Sequence, residues 1–214
     1  MHNPLKFISV FLVFLLVSCQ GTGFKMEECE YEEGGKRAEI IYPVFSKDDE
    51  INNEIRKTVD GVLNNFLLYS AKNSTLKMDS EIKHNSENII SIIIEGELKK
   101  EDDSHPEKLR YPLTYDLKGK RVLALSDILD GTDWHNTVNN IMKERVETNK
   151  EYEELWETPT VEILEKENFY IDDGKITVFY PPYKLSYYNR GFVDFAFSKD
   201  DLRGYLTDYA KNHL

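Results

Sequence analysis

The first strong pattern in the chain is a helical spacing of apolar residues over residues 47–70. The apolar side chains that would share one face of such a helix are Ile51, Ile55, Val59, Val62, Leu63, Phe66 and Leu67. This spacing predicts one amphipathic helix with a core-facing stripe. A capping-box-like start at residues 46–49 supports its N-terminus. The asparagines between the apolar positions, which are Asn52, Asn53, Asn64 and Asn65, are predicted to lie on a solvated face.

Apolar runs predict strands on both sides of this helix. Residues 36–42 have a strand pattern that Pro43 is expected to stop. Residues 71–86 are polar and indicate only a short strand, whereas the isoleucine-rich residues 88–98 indicate a largely buried one. Residues 109–117 alternate strictly, which predicts one buried face and one wet face. The wet face would carry Arg110, Pro112, Thr114 and Asp116.

The second half of the chain predicts two helices, a hairpin and a further strand. Residues 131–133 would cap a helix over residues 134–149. Two apolar runs within residues 169–180 surround an Asp-Gly turn, which is a strong hairpin signal, and residues 192–197 indicate another strand. Residues 198–201 repeat the capping-box pattern, so a last helix is expected to start there. Its buried side chains would be Leu202, Tyr205, Leu206 and Tyr209.

The order of these elements predicts an α+β fold, with a mostly antiparallel sheet and about three helices packed to one side. Hydrophobic residues make up 40% of the 214 residues and aromatic residues 12%. The chain therefore has enough apolar surface for one folded domain, or for two small domains that pack closely.

The first 18 residues have the features of a signal peptide, with a lysine followed by a short apolar run. Leu16-Val17-Ser18-Cys19 then resembles the bacterial lipobox, in which cleavage leaves a lipid-bearing cysteine as the new N-terminus. The expected division is therefore a lipoprotein signal peptide at 1–18, a lipidated Cys19 with a flexible tether at 19–35, and an α+β domain at 36–214, with halves 36–100 and 101–214. Buried acyl chains contribute about 0.8 kcal/mol per CH₂, so such a cysteine would anchor the chain to a membrane in the cell envelope. An ordinary secretory signal with a chance cysteine is the alternative.

The net charge indicates the class of partner, and the cysteine content indicates which thiol chemistry to expect. The formal net charge of −12 argues against nucleic-acid binding and favours a cationic partner, although the charge could serve solubility alone. After processing, Cys29 would be the only thiol, so no intrachain disulfide is expected. Its neighbours Glu27, Glu28 and Glu30 would disfavour the thiolate.

The segment Phe179-Tyr180-Pro181-Pro182-Tyr183, followed by Tyr188 and Gly191, resembles the signature of the RsiV-like extracytoplasmic domain family. Similar segments are Tyr42-Pro43 with residues 51–55, and residues 115–120 with 125–129, so the resemblance covers about residues 38–206. The same region precedes the catalytic domain in PdaC-like peptidoglycan deacetylases. RsiV-type proteins bind lysozyme outside the cell and hold a sigma factor through a cytoplasmic segment. This chain is expected to lack such a segment, so only the extracellular role is implied.

Two departures from the family pattern mark candidate contact residues. Asp102 and Asp103 replace small residues before His105, and Tyr187 replaces an expected proline. Together with Arg190, these residues are the predicted partner-binding positions. Tyr183 and Tyr188, which match the family, are expected to serve packing.

Motifs for catalysis or cofactor binding are lacking in the sequence. It contains no deacetylase metal motif, nucleophile elbow or glycine-rich phosphate loop. The acidic loop from Glu101 to Glu107 could in principle ligate a cation, but its spacing favours a solvated loop over a calcium or zinc site. No catalytic residue, metal or cofactor is therefore predicted.

The sequence thus supports a non-enzymatic, lipid-anchored envelope protein that binds a macromolecule, with a cationic lysozyme-like protein as the partner that the resemblance implies. An accessory protein or degenerate enzyme of cell-wall glycan processing is the alternative. A surface antigen without a ligand is a third hypothesis.

Overall fold

The computed structural model describes residues 23–157 and 168–214, so the predicted signal peptide and Cys19 lie outside the described residues. The strands are β1 (Phe24–Glu33), β2 (Lys36–Phe45), β3 (Thr75–Asn85), β4 (Ile89–Lys99), β5 (Glu107–Asp116), β6 (Arg121–Val122), β7 (Phe169–Asp172), β8 (Lys175–Tyr180) and β9 (Val193–Phe197). The helices are α1 (Asp49–Tyr69), α2 (Leu125–Ile128), α3 (Trp134–Thr148) and α4 (Asp208–His213).

The strands form two sheets, one with the order β1-β2-β3-β4-β5-β6 and one with the order β7-β8-β9. The β1–β2, β5–β6, β7–β8 and β8–β9 pairs are antiparallel, while β2 and β3 are parallel and α1 connects them. The predicted α+β class is confirmed. Two compact units can be distinguished among the described residues: 23–81 with 94–109, and 82–93 with 110–157 and 168–214.

Strand β1 contradicts the predicted flexible tether (residues 19–35) over residues 24–33, while residues 19–22 lie outside the described residues. All ten of its residues pair with β2. The connection is Gly34-Gly35, both with positive φ (63° and 84°), which is the conformation that a two-residue hairpin turn of type I′ requires. The Gly-Gly turn signal is present in the sequence, but the glutamate-rich composition of residues 24–33 does not predict a strand before it.

Pro43 does not stop β2, because its position in the ladder needs no hydrogen from its nitrogen. The amide of Ser46 donates to the carbonyl of Gly23 at 3.1 Å. Hydrogen-bonded pairs alternate along an antiparallel ladder, so Pro43, opposite Met26, falls at a non-hydrogen-bonded pair. The ring nitrogen then faces the side of β3, whose pairing with β2 covers only residues 37–40 of β2.

Helix α1 has the predicted apolar stripe, but one of its asparagines is buried. Asp48 caps the helix by accepting a hydrogen bond from the amide of Ile51. The side chain of Asn52 is buried, accepts from the amide of Phe45 and donates to the carbonyl of the same residue, each at 2.8 Å. The prediction of a solvated Asn52 is wrong because this amide replaces a strand partner where β2 ends.

Both faces of β5 are covered, so the predicted wet face is wrong. The Arg110 side chain is only 9% exposed and forms an ion pair with Asp194 at 2.7 Å. Thr114 and Asp116 are buried as well. The Thr114 hydroxyl lies 2.8 Å from the Ser91 hydroxyl, whose oxygen also accepts from the amide of Ile171 at 2.9 Å.

The hairpin of β7 and β8 and the helix α3 are as predicted. Asp173 and Gly174 both have positive φ (47° and 76°) at the hairpin turn. Two side chains then satisfy carbonyls of β9: Arg145 donates to that of Ala196, and Tyr152 donates to that of Asp194. Because exposed strand edges invite further pairing, these bonds close one side of the three-stranded sheet.

The predicted last helix from residue 198 is wrong. The capping-box bonds between Ser198 and Asp201 do form, but turns follow, and α4 starts only after Thr207. The carbonyl of Tyr205 accepts from Asp130 instead of continuing a helix. A glycine at 204, which costs about 1 kcal/mol in a helix interior, also disfavours it. Leu202 and Leu206 are nevertheless buried, as predicted.

Among residues 23–157 and 168–214, no helix has both the length and the apolar character needed to cross a membrane.

Candidate functional site: an exposed aromatic patch

The predicted contact residues lie in different compact units, and each group is described by itself. Asp102, Asp103 and His105 belong to the connection between β4 and β5. The Lys99 ammonium donates to the carbonyl of Asp103 at 2.6 Å. Asp102 is exposed, whereas Asp103 and His105 are half-buried.

Neighbouring residues hold this acidic connection in place. Asn73 donates to the Glu101 carboxylate at 2.8 Å, and Lys100 lies 3.7 Å from that of Glu107. In the described part of the chain, no three His, Cys, Asp or Glu side chains are grouped so that they could hold a metal ion. The connection is therefore a surface loop whose carboxylates are partly matched by lysines.

Tyr187 and Arg190 lie in the other unit, on residues 181–190 between β8 and β9. Tyr187 is 68% exposed. Arg190 is less free than the sequence suggests, because its guanidinium donates to the carbonyl of Glu151 and lies 5.9 Å from the ring of Tyr152. Arg190 therefore ties residues 181–190 to residues 150–152, which form a 3-10 turn after α3.

Trp156 is the residue that sequence reasoning missed. Its indole is 44% exposed and meets the ring of Tyr187 edge to face, with centroids 4.7 Å apart. The amide of Trp156 donates to the carbonyl of Leu185 at 3.0 Å, which fixes the two segments side by side. The only sequence signal was a tryptophan in an acidic stretch, since nothing local shows which residue it meets.

Tyr183 adds a third exposed ring on the same segment. It is 56% exposed, so the prediction that it packs in the interior is wrong; Tyr188, whose ring centroid is 6.0 Å away, is half-buried. The backbone of Tyr183 has φ of 66°, which is uncommon for a bulky residue. A hydrogen bond from its amide to the carbonyl of Ser186 stabilises this turn. Trp156, Tyr183 and Tyr187 are called the aromatic patch below.

Carboxylates flank the aromatic patch. Residues 151–157 contain four exposed glutamates, at positions 151, 153, 154 and 157. Lys150, Lys184 and Arg190 on the same two segments offset three of these four charges, so the net negative charge of the two segments is small. Exposed π-surfaces nevertheless lie on the same segments as exposed carboxylates, and both kinds of group attract cations.

Buried aromatic residues lie on the segments next to those that carry the patch. Tyr152 is buried and stacks on Phe195 with centroids 4.6 Å apart, and Tyr180 meets Phe195 edge to face at 6.0 Å. Burial raises the pKa of Tyr152, so its phenol stays protonated and donates to the carbonyl of Asp194. Leu185, which lies between Tyr183 and Tyr187 in the sequence, is also buried. Both segments of the patch are therefore joined to buried residues, because Trp156 bonds to Leu185 and Arg190 bonds to the residue before Tyr152.

Cys29 is a half-buried thiol in β1. Its pKa is raised, first by burial and then by the carboxylate of Asp60. The sequence predicted a disfavoured thiolate but attributed it to the neighbouring glutamates, whereas the structure attributes it mainly to desolvation. The thiol is thus poorly suited to act as a nucleophile.

Residues 126–200, which include the aromatic patch, match a family described as "Protein of unknown function (DUF3298)". A DUF3298 family protein from Pseudomonas aeruginosa PAO1 has a similar structure, with a TM-score of 0.68 at 13% identity over 90% of this chain and 97% of that chain. A DUF3298 family member from Bacteroides fragilis NCTC 9343 gives a TM-score of 0.60 at 14% identity over 89% of this chain and 96% of that chain. At these identities the likeness shows the fold alone. No curated protein matches the chain.

Proposed function

We propose that this chain is a lipid-anchored, non-enzymatic binding protein of the bacterial envelope, and that its acidic surface holds a cationic protein. The anchoring part rests on the apolar run before Cys19 and on the lipobox-like residues 16–19. The binding part rests on the net charge of −12 and on the aromatic patch.

The observation that carries the proposal is the edge-to-face pair of Trp156 and Tyr187, flanked by exposed glutamates. Exposed tryptophan and tyrosine supply rigid contact area, and residues of these types dominate the binding energy of protein interfaces. A lysine or arginine of the partner would lie over an aromatic face and meet a carboxylate at the same time. The proposed partner is therefore a protein with a basic, partly apolar surface.

Lysozyme is the first candidate partner, because it is cationic and because residues 179–191 resemble the RsiV-like signature. We expect the full chain, in nonionic detergent, to retain lysozyme at micromolar concentration in ~0.15 M salt, where screening acts over about 8 Å. Trp156→Ala and Tyr187→Ala should each weaken binding by roughly 30-fold, as hot-spot truncations do. Isothermal titration calorimetry would measure this.

Tyr69→Ala is the matched control, since Tyr69 is 81% exposed and lies at the end of α1 in the other compact unit. This variant should bind lysozyme as the original chain does. Equal losses in all three variants would contradict a role for the aromatic patch, and no retention of lysozyme by the unaltered chain would reject this partner.

A function in cell-wall glycan processing is the second candidate, because exposed aromatic rings also stack on sugars. Co-sedimentation with isolated peptidoglycan would support it, especially if raising the salt concentration left binding unchanged. Binding to a cationic protein should instead weaken with salt. Release of acetate in a metal-dependent manner would indicate a deacetylase and would contradict the non-enzymatic proposal.

Membrane anchoring is tested separately through Cys19. The variant Cys19→Ser lacks the thiol to which lipid would be attached. We expect it to move from the membrane fraction to the soluble fraction, and to lose incorporation of labelled palmitate. The Cys29→Ser variant is the control, which should remain in the membrane fraction with its label. Unchanged fractionation of Cys19→Ser would contradict lipidation.

A further inference from the structure

Strand β1 forms one edge of the six-stranded sheet, and its register determines which backbone groups face outward. The bond from the Ser46 amide to the Gly23 carbonyl identifies this pair as hydrogen-bonded. Alternate pairs along an antiparallel ladder have this pattern. Residues 25, 27, 29, 31 and 33 therefore direct their amide and carbonyl groups towards β2. Residues 24, 26, 28, 30 and 32 direct theirs to the open side.

This open side has no strand partner within the described residues. It differs from β9, where Arg145 and Tyr152 satisfy two carbonyls. The five outward residues extend along the whole length of β1 and present alternating donors and acceptors. Such an edge can accept an additional strand through main-chain hydrogen bonds.

The charges on β1 determine which strand would fit. The strand contains five glutamates and one lysine. Glu28 and Glu30 lie on one face, where Glu39 of β2 is directly opposite Glu30. The pKa of Glu28 is raised, first by burial and then by the carboxylates of Glu30 and Glu39. Arg37 pairs with Glu32 at 2.9 Å, and the Lys77 ammonium lies 3.8 Å from the Glu39 carboxylate. Two cations therefore stand against the four carboxylates of residues 28, 30, 32 and 39, and this face keeps a net negative charge.

A second copy of the chain fits this edge poorly. Antiparallel pairing of two β1 strands centred on Glu28 to Glu30 would place glutamates opposite glutamates, and like charges in that position are destabilising. Each copy also carries a net charge of −12. A strand with lysine or arginine at alternate positions would instead form ion pairs with these glutamates while it completes the backbone bonds.

We propose that the outer edge of β1 binds an extended basic segment of another protein as a seventh strand. The surface is independent of the aromatic patch, since it lies in the other compact unit and uses backbone groups. Main-chain bonds at residues 24, 26, 28, 30 and 32 would supply affinity, and the glutamate side chains would select basic residues.

The probe is a synthetic ten-residue peptide of alternating lysine and valine with blocked ends, added to the full chain in nonionic detergent. We expect amide hydrogen exchange at Met26, Glu28 and Glu30 to slow by at least ~10-fold. Amides that already bond to β2, such as those of Glu27 and Cys29, should change little. A peptide with glutamate in place of lysine should leave all of them unchanged.

Variants at position 28 distinguish the contribution of the backbone amide to peptide binding from that of the carboxylate charge. Glu28→Pro removes one outward amide but keeps the bonds of Glu27 and Cys29 to β2, and proline is tolerated on an edge strand. It should abolish protection without a change in melting temperature. Glu28→Gln keeps the amide and should only weaken protection. Trp156→Ala should retain full protection, so that failure of this proposal and failure of the aromatic patch can be distinguished.

Three results would overturn the proposal. The first is that the lysine peptide protects none of the outward amides, and the second is that the glutamate peptide protects them equally. The third is a dimer in analytical ultracentrifugation that Glu28→Pro dissociates, because the occupant of the edge would then be a second copy of the chain.

Discussion

Replacing Arg110 with alanine should lower the free energy of unfolding by about 3 kcal/mol. The guanidinium pairs with Asp194 at 2.7 Å, and the hydroxyl of Tyr170 donates to the same carboxylate at 3.2 Å. The guanidinium also lies over the rings of Phe192, Phe179 and Tyr170, with its carbon 4.2, 5.1 and 5.8 Å from their centroids. Removing one member of a buried pair typically costs about 3–5 kcal/mol. The lower end applies here because the Asp194 side chain is 38% exposed and keeps part of its hydration.

Urea denaturation followed by tyrosine and tryptophan fluorescence would measure this loss. Arg121→Ala is the matched control, because Arg121 forms an ion pair of the same 2.7 Å length with Asp127 but its side chain is 47% exposed. It should cost no more than about 1 kcal/mol. Arg110→Lys should give an intermediate loss, since an ammonium keeps the charge but not the planar stacking. Equal stability of the Arg110→Ala and Arg121→Ala variants would show that burial of the pair has no effect.

Gly96→Ala should cost about 3 kcal/mol, at the upper end of what overpacking usually costs. Gly96 lies in β4, where a Cβ atom would be 1.9 Å from the carbonyl oxygen of Lys77 and 2.8 Å from the Cα of Met78. Both atoms belong to the backbone of β3, so no side-chain rotation can relieve the clash. The two strands would have to separate.

Gly61→Ala is the matched control for this substitution. Gly61 lies inside α1, and apart from its chain neighbours and the backbone of its own helix, no atom lies within 4 Å of the Cβ that would be added. Alanine is favoured over glycine in a helix interior by about 1 kcal/mol, so this variant should be more stable than the original chain. Chemical denaturation of both variants would test the pair, and a Gly96→Ala variant as stable as the original would contradict the close approach of β3 and β4.

The sequence predicts only part of the candidate site. Tyr187 stood out because it replaces an expected proline, and the structure places it on the surface. Its ring partner Trp156 lies 31 positions earlier in a stretch without periodicity, so no local pattern could have joined the two. Arg190 was predicted to be a surface contact, but its guanidinium donates a hydrogen bond to the carbonyl of Glu151.

The sequence by itself determined the elements whose signals are local. The apolar stripe of α1, the helix α3 and the hairpin of β7 and β8 follow from side-chain periodicity and turn residues within a few positions of one another. Tertiary structure alone decided the features that depend on residues far apart in the chain. Pro43 is accepted because of the register between β1 and β2, Asn52 is buried because β2 ends beside it, and Arg110 is buried because three rings and a carboxylate from residues 170–194 surround it. Such contacts depend on how distant segments pack, and composition and spacing do not specify that.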